Sequence, residues 1–263
     1  MLKLGFAIRI AGKTALIFAA LALATCAWAE PTDFGPAQRD RMKALAAEMR
    51  GKMERARYEL LRARMDLFQA YSVYDLDERK VRAALDRIGR AQLALLNLHL
   101  DNQIELRRIL NESQFSEFRR RMERFGRHMA GVFGPHSDGP MGRLPDMDRP
   151  PDRELLERIG VGADQAKRIW READSTAAKA IVDRLVRESK RLIDLYTRYD
   201  LDVDAARKLI DSIHRSQMDL AELNHKNQQT LRAVLTEQQF ERLQQEISKR
   251  FRPGQHRRRA GRF

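Results

Sequence analysis

The residues best suited to bind a metal ion lie in and beside a Gly- and Pro-rich stretch near the middle of the chain. This group comprises His128, Met129, His136, Asp138 and Met141. Imidazole, carboxylate and thioether ligands together would suit a soft or borderline ion. The same residues would also occur in a solvated linker that holds no metal. His128 and His136 are therefore weak metal candidates, and both interpretations stay open.

Two further histidines, His214 and His225, are eleven residues apart. On one straight helix this spacing separates them by roughly 16 Å along the axis, whereas two ligands of one zinc ion each lie within about 2.1 Å of it. They cannot share an ion within one helix. The sequence also lacks a His-x-x-x-His pair, and its one cysteine is Cys26. We therefore predict no cofactor, with only the weak metal candidates above.

Patterns typical of catalytic sites are absent from the sequence. It contains no Ser/His/Asp order, paired-carboxylate signature, phosphate-binding loop or metalloprotease helix. Most of its helical carboxylates have a basic residue three or four positions away, which is typical of ion pairs on a helix surface. The sequence thus predicts a binding protein and not an enzyme.

The first helix after residue 30 carries the most promising binding surface. Apolar and basic side chains lie on or beside one face of it, namely Met42, Leu45, Met49, Met53, Leu60, Arg50, Arg57 and Arg64. Methionine is unbranched and polarizable, so a methionine-rich face bordered by arginine suits varied apolar and acidic segments. We predict this set as the binding face. Periodicity alone also fits a face buried in the core.

An internal repeat with an offset of 125 residues organises the chain. Residues 71–122 align with residues 196–247 without a gap, and roughly two in five positions are identical. Tyr71-x-x-Tyr74 recurs as Tyr196-x-x-Tyr199. We expect these tyrosines to pack at helix ends with their hydroxyl groups in water.

Each copy has the signals of a long helix followed by a sharp bend. Asp77 and Asp202 are placed as N-caps, and an apolar pattern with a period of about 3.6 residues follows each of them. Two capping boxes with hydrophobic staples predict the bends. They are formed by Leu110, Asn111, Gln114 and Phe115 in one copy and by Leu235, Thr236, Gln239 and Phe240 in the other.

The predicted fold class is all-α, with two tandem bent helical units joined by a Gly- and Pro-rich linker. The expected boundaries are 30–130 for the first unit, 131–152 for a flexible linker, 153–252 for the second unit and 253–263 for a basic, disordered tail. An amphipathic helix is expected to open each unit, over about 37–73 and 163–198. The basic tail is expected to contact anionic lipid only weakly.

The first 29 residues resemble an export signal. Basic residues precede an uncharged apolar run over 15–25, and Ala27-Trp28-Ala29 supplies the small residues that a signal peptidase requires. The run is shorter than the ~20 residues that span a bilayer. We expect cleavage before Glu30, with a lipoprotein anchored through Cys26 as the alternative.

Basic residues dominate the charge of the chain. The formal net charge is +13 at pH 7, and removal of the export signal, which has three basic and no acidic residues, leaves it at +10. In an exported protein this charge favours acidic or unfolded proteins and anionic surfaces as partners, and not nucleic acid.

The second bend carries a recognisable motif, because Leu235-Thr236-Glu237-Gln238-Gln239 fully matches LTxxQ. With this motif the chain resembles the Spy/CpxP family of small periplasmic helical proteins, although the first copy has Asn111 in place of Thr. In both copies an acidic cap, a long helix, an LTxxQ-like bend and a short Arg-rich helix are similar to the C-terminal half of the family's unit. Family members form bent, cradle-shaped helical dimers. Since two units are fused here, we predict an intrachain pseudo-dimer.

The resemblance also implies a function and a location. Some family members are similar to ATP-independent chaperones, others inhibit an envelope-stress sensor kinase, and related proteins bind zinc, nickel or cobalt. This implies a periplasmic chaperone or stress adaptor that binds unfolded or partly folded envelope proteins, with the periplasmic domain of a sensor kinase as a second partner. The alternative is a periplasmic heavy-metal-binding sensor or metal-resistance protein.

Overall fold

The computed structural model of the chain describes residues 34–132, 153–172 and 175–250. The side chains at 124–132, 153–154, 170, 172, 175 and 247–250 are outside this description. All regular secondary structure in the described ranges is helical, which confirms the all-α prediction. The predicted export signal, most of the predicted linker and the predicted tail lie outside the described residues.

Eight helices make up the described part of the chain. In order they are α1 (Pro36–Tyr71), α2 (Glu78–Ile109), α3 (Glu112–Val132), α4 (Arg153–Arg158), α5 (Ala163–Glu172), α6 (Ser175–Thr197), α7 (Val203–Val234) and α8 (Glu237–Arg250). The predicted opening helix of the first unit corresponds to α1, and that of the second corresponds to α5 and α6. Helix α3 extends two residues into the predicted linker, and α4 has no counterpart among the predicted elements.

The short helix α4 ends at a glycine that satisfies a backbone requirement. Gly160 has a φ of +77°, in the left-handed region where only glycine avoids a steric penalty. The Val161 amide donates to the Leu156 carbonyl at 2.9 Å, and the Gly160 amide donates to the Glu157 carbonyl at 3.0 Å. This pattern is a Schellman motif, so Gly160 ends the helix and directs the chain toward α5.

The two long central helices begin at the predicted N-caps. The Asp77 carboxylate accepts a hydrogen bond from the Lys80 amide at 3.1 Å, and the Asp202 carboxylate accepts one from the Ala205 amide at 2.8 Å. In each case the carboxylate satisfies an amide that has no partner within the first turn of the helix. Both predicted starts are confirmed.

The bends after α2 and α7 are the predicted capping boxes. The Asn111 side chain accepts from the Gln114 amide at 2.9 Å, and the Gln114 side chain accepts from the Asn111 amide at 3.1 Å. The Thr236 hydroxyl accepts from the Gln239 backbone amide at 3.3 Å, and the Gln239 side chain accepts from the Thr236 backbone amide at 3.0 Å. At each bend the predicted staple residues, Leu110 with Phe115 and Leu235 with Phe240, lie in one buried cluster.

The glutamine of each capping box also connects the bend to the start of an opening helix. Gln38 in α1 donates to the Gln114 side chain at 3.0 Å and to the Ile109 carbonyl at 2.9 Å. Gln165 in α5 donates to the Gln239 side chain at 3.1 Å and to the Val234 carbonyl at 3.0 Å. The end of each long helix is thereby held against the opening helix of the same copy.

We predict that Thr236→Ala lowers the free energy of unfolding by roughly 0.5–2 kcal/mol, because one amide of the first turn of α8 loses its acceptor. Gln239→Ala should cost more than Thr236→Ala, since Gln239 also bonds Gln165 and the Gly160 carbonyl. Urea unfolding followed by circular dichroism measures both. Thr236→Ser, which keeps the hydroxyl, is the matched control and should unfold like the parent. Parent-like unfolding of a Thr236→Ala, Gln239→Ala double variant would contradict the capping role.

The two copies of the repeat contact each other through equivalent arginines. Helix α1 packs against α2, α6 packs against α7, and α2 packs against α7. Arg232 in α7 donates to the carbonyls of Tyr71, Val73 and Tyr74 at 2.8–2.9 Å. Arg107, its equivalent in α2, donates to the carbonyls of Tyr196, Arg198 and Tyr199 at 2.6–2.9 Å. Each guanidinium thus satisfies carbonyls at the C-terminal end of the other copy's opening helix.

The tyrosines at these helix ends are not exposed in the way that we predicted. The Tyr74 hydroxyl donates to the Leu235 carbonyl at 3.0 Å, and the Tyr199 hydroxyl donates to the Leu110 carbonyl at 2.9 Å. Each ring packs edge to face against the staple phenylalanine of the other copy. The prediction of wet hydroxyls is therefore wrong, because the ends of the opening helices are covered by the other copy.

Candidate functional site

The apolar side chains of the predicted binding face are buried. Met42, Leu45 and Met49 pack with the first bend in one core cluster. Met53 is also buried, and Leu60 packs in a second cluster between α1 and α2. A ligand could contact these five side chains only if α1 separated from its neighbours. In the described structure this face serves as core, which is the alternative that periodicity left open.

The arginines of the predicted set lie nearer to the surface. Arg50 and Arg57 are exposed, and Arg64 is half-buried. Burial lowers the pKa of Arg64 from its ordinary value. Burial, with the charge of Arg57 as a second cause, lowers the pKa of His99 to about 4. His99 is therefore a neutral imidazole at neutral pH and adds no charge of its own to this region.

A second apolar face of α1 is open to solvent. Tyr58, Leu61, Met65 and Phe68 are 62%, 58%, 55% and 46% exposed. Their spacing of three, four and three residues places them along one side of the helix. We call these four residues the outer stripe. A contiguous exposed apolar surface of this kind is typical of a site where another molecule binds.

Positive charge borders the outer stripe. Arg57 precedes Leu61 by four residues, and Arg64 follows it by three, so both lie next to it on the helix surface. Between residues 50 and 68 there are six basic and three acidic residues. Two of those acidic residues, Glu59 and Asp66, form ion pairs with Arg87 of α2. The remaining field around the stripe is therefore positive and favours acidic ligands.

The second copy does not repeat the outer stripe. Carried into the opening helices, the offset of 125 residues pairs the stripe with Asp183, Val186, Lys190 and Ile193. Val186, the equivalent of Leu61, is 63% exposed. It lies between an acidic and a basic position on its side of α6, which leaves it as a single exposed apolar group. The apolar outer surface is thus a property of the first copy.

The described part of the chain contains no candidate metal site. No three His, Cys, Asp or Glu residues in these ranges are grouped closely enough to hold an ion. The side chain of His128 is outside the description, and His136 lies outside the described residues. The two metal candidates therefore stay predictions. None of the described helices has both the length and the apolarity needed to cross a bilayer.

His225 has a role that sequence reasoning missed. It is buried, with its Nδ1 atom 3.1 Å from the Tyr71 hydroxyl and its Nε2 atom 2.9 Å from the Glu78 carboxylate. The hydrogen bond from Gln229, followed by the effects of His225, lowers the pKa of Glu78, so this carboxylate is ionised at neutral pH. The signal in the sequence was a break in the repeat, because Leu100 stands at the equivalent position of the first copy.

The arginines Arg107 and Arg232 were also missed as functional residues, although the repeat displays both. Burial lowers the pKa of Arg107 to about 10, which still leaves it charged at neutral pH. Its guanidinium lies 4.2 Å from the centre of the Phe115 ring, and that of Arg232 lies 4.5 Å from the Phe240 ring. Recurrence of an arginine in both copies was the available signal, but its partners are 89 or more residues away.

Comparison of the chain with known protein families, curated proteins and solved structures gives no match. The likeness to the Spy/CpxP family therefore rests on the motifs and their helical context alone.

Proposed function

We propose that the protein is an exported, periplasmic, ATP-independent chaperone or envelope-stress adaptor that binds partly unfolded proteins. The observation that carries the proposal is the outer stripe on α1, with its four exposed apolar side chains and its arginine border. Unfolded segments expose apolar residues. Burying this apolar surface against a partner stabilises the complex by about 25 cal/mol per Å². A surface that combines such residues with positive charge suits segments that are both apolar and acidic.

The apolar residues that contact the client in this function are not those predicted from the sequence. Arg57 and Arg64 belong both to the predicted binding face and to the border of the outer stripe. The apolar contacts come from the outer stripe and not from the buried methionines, since the latter are already packed against the first bend. The resemblance to the Spy/CpxP family supports the same class of function.

The mature chain, residues 30–263, should suppress the aggregation of reduced α-lactalbumin, an acidic client, without ATP. Reduced lysozyme, a basic client, should be protected less, because its charge has the same sign as the arginine border. Added salt should weaken the protection of the acidic client, since exposed charges are screened over about 8–10 Å near physiological ionic strength. Light scattering at several chaperone concentrations measures each effect.

Calorimetric titration with zinc, nickel and copper distinguishes a chaperone from the alternative function, a periplasmic heavy-metal-binding sensor or metal-resistance protein. Suppression of aggregation without metal uptake supports a chaperone. Tight stoichiometric metal binding without any suppression would replace the chaperone with a metal sensor or buffer.

A further inference from the structure

The two places where the copies meet differ in chemistry. In the first, the ring of His225 has a partner on each nitrogen, the Tyr71 hydroxyl at 3.1 Å and the Glu78 carboxylate at 2.9 Å. Gln229 donates to the other Glu78 oxygen at 2.7 Å. We call these four residues the polar junction. His225 is only 1% exposed, so its hydrogen bonds depend on the other copy and not on water.

The equivalent place in the other half has no such network. The repeat puts Tyr196, Leu100, Val203 and Ile104 at the four matching positions, and all lie in or against one apolar cluster. We call them the apolar junction. The Tyr196 hydroxyl is buried and has no hydrogen-bond partner among the described residues. That is the expected cost of a leucine where the polar junction has a histidine.

A second difference lies between these junctions, where α2 crosses α7. Gly89 is the repeat equivalent of His214, and the two face each other across the crossing. A Cβ atom on Gly89 would lie 2.9 Å from the Met218 sulfur and 3.5 Å from the His214 ring. His214 and Met218 of the second copy therefore fill the space that the absent side chain of Gly89 leaves in the first copy.

We infer that the first copy's surface is built to accept a second copy and to reject another first copy. A pair of first copies would place leucine against Tyr71 and Glu78, and glycine against glycine at the crossing. A pair of second copies would place His225 against valine without a carboxylate, and His214 against His214. Only the unlike pair gives each buried polar group of the polar junction a partner and fills the crossing. Penalties against the like pairs are what specificity requires.

This pairing of the two copies is independent of client binding. Like pairs between different chains are disfavoured, so a first copy is directed toward a second copy, which in the described structure belongs to the same chain. The partner for this interaction surface is thus the second copy of the same repeat.

Single substitutions at the crossing recreate the like pairs within the full chain. Gly89→His places histidine opposite histidine, and His214→Gly places glycine opposite glycine. Each should lower the melting temperature by roughly 4 °C or more. Gly89→His combined with His214→Gly restores one glycine facing one histidine in the reverse order. The helix-propensity effects of the two changes oppose each other, and the flexible end of the Met218 side chain, 2.9 Å from the added Cβ, can shift into the space that His214 leaves. The double variant should therefore recover part of the summed loss.

The polar junction gives an independent test that also works if Gly89→His fails to fold. His225→Leu recreates a first-copy pair and Glu78→Val a second-copy pair, and each should lower the melting temperature by roughly 3–8 °C. The double variant has the leucine and valine of the apolar junction, so its loss should be smaller than the sum of the two. Sub-additive losses in both pairs are the expected result. Additive losses in both pairs, or single variants that melt like the parent, would overturn the inference.

Discussion

Arg232→Ala should lower the free energy of unfolding by about 3–5 kcal/mol, the largest effect that we expect from one substitution. The guanidinium of Arg232 is charged and partly buried, and it donates to three carbonyls at the end of α1. Hydrogen bonds to charged groups contribute about 1.5–3 kcal/mol each, but Arg232 is only half-buried, so water replaces part of these bonds and the expected loss is smaller than the sum of three. Because Arg107 makes the equivalent bonds, Arg107→Ala should have a similar effect.

Urea unfolding followed by circular dichroism provides the measurement. Arg232→Lys keeps the charge but loses the planar fork of donors, so it should recover only part of the loss. Arg207 is exposed and lies 3.9 Å from Asp204 on the same helix, so Arg207→Ala is the control and should change stability by less than about 0.5 kcal/mol. A loss from Arg232→Ala no larger than that of the control would show that the copies are not held together by this contact.

Replacing the outer stripe should abolish most client protection while leaving the fold intact. We expect a variant with Tyr58, Leu61, Met65 and Phe68 all changed to serine to need at least about tenfold more protein for half-maximal suppression of aggregation. Burial of a large apolar side chain contributes about 1.5–3 kcal/mol, and tenfold in affinity corresponds to only about 1.4 kcal/mol. Since all four side chains are exposed, the melting temperature should change little.

Val186→Ser is the matched control for the stripe. It removes an equally exposed apolar side chain at the repeat equivalent of Leu61, so general surface hydrophobicity is tested in the second copy. We expect its protection of α-lactalbumin to equal that of the parent. Equal protection by the stripe variant would move the binding site elsewhere, and the buried methionine face would become the next candidate.

Local features of the fold could be predicted from the sequence because their causes are local. The N-caps Asp77 and Asp202 and both capping boxes act within three residues along the chain. Their side chains satisfy amides of the first helical turn wherever the helix is placed. The all-α class follows from the same signals, together with the apolar period of the long helices.

Burial on α1 could not be predicted in the same way. This helix has two apolar sides, one with Met42, Leu45 and Met49 and one with Leu61 and Met65. Periodicity identifies both sides but does not determine which one another element covers. That depends on the bend at Leu110 and Phe115, which is far along the chain and packs against the methionines. The sequence therefore led us to predict the buried side of α1, and not its exposed side, as the binding face.

Contacts between the copies needed the structure for a related reason. The break in the repeat at His225 and Leu100 was visible, but its meaning depends on Tyr71 and Glu78, which lie 154 and 147 residues away in sequence. A single sequence does not report which residues face each other over such separations. The repeat identified the positions that differ, and the geometry gave the reason for the difference.

Site-specific photo-crosslinking tests the central claim, that clients bind the outer stripe of the first copy, most directly. A photoreactive amino acid is placed at position 61 or 186 of the protein comprising residues 30–263, and each protein is irradiated with reduced α-lactalbumin. Both positions are similarly exposed, so reactivity alone does not favour either. We predict strong crosslinks from position 61 and weak ones from position 186. Equal crosslinking from both positions, or none from position 61, would contradict the account.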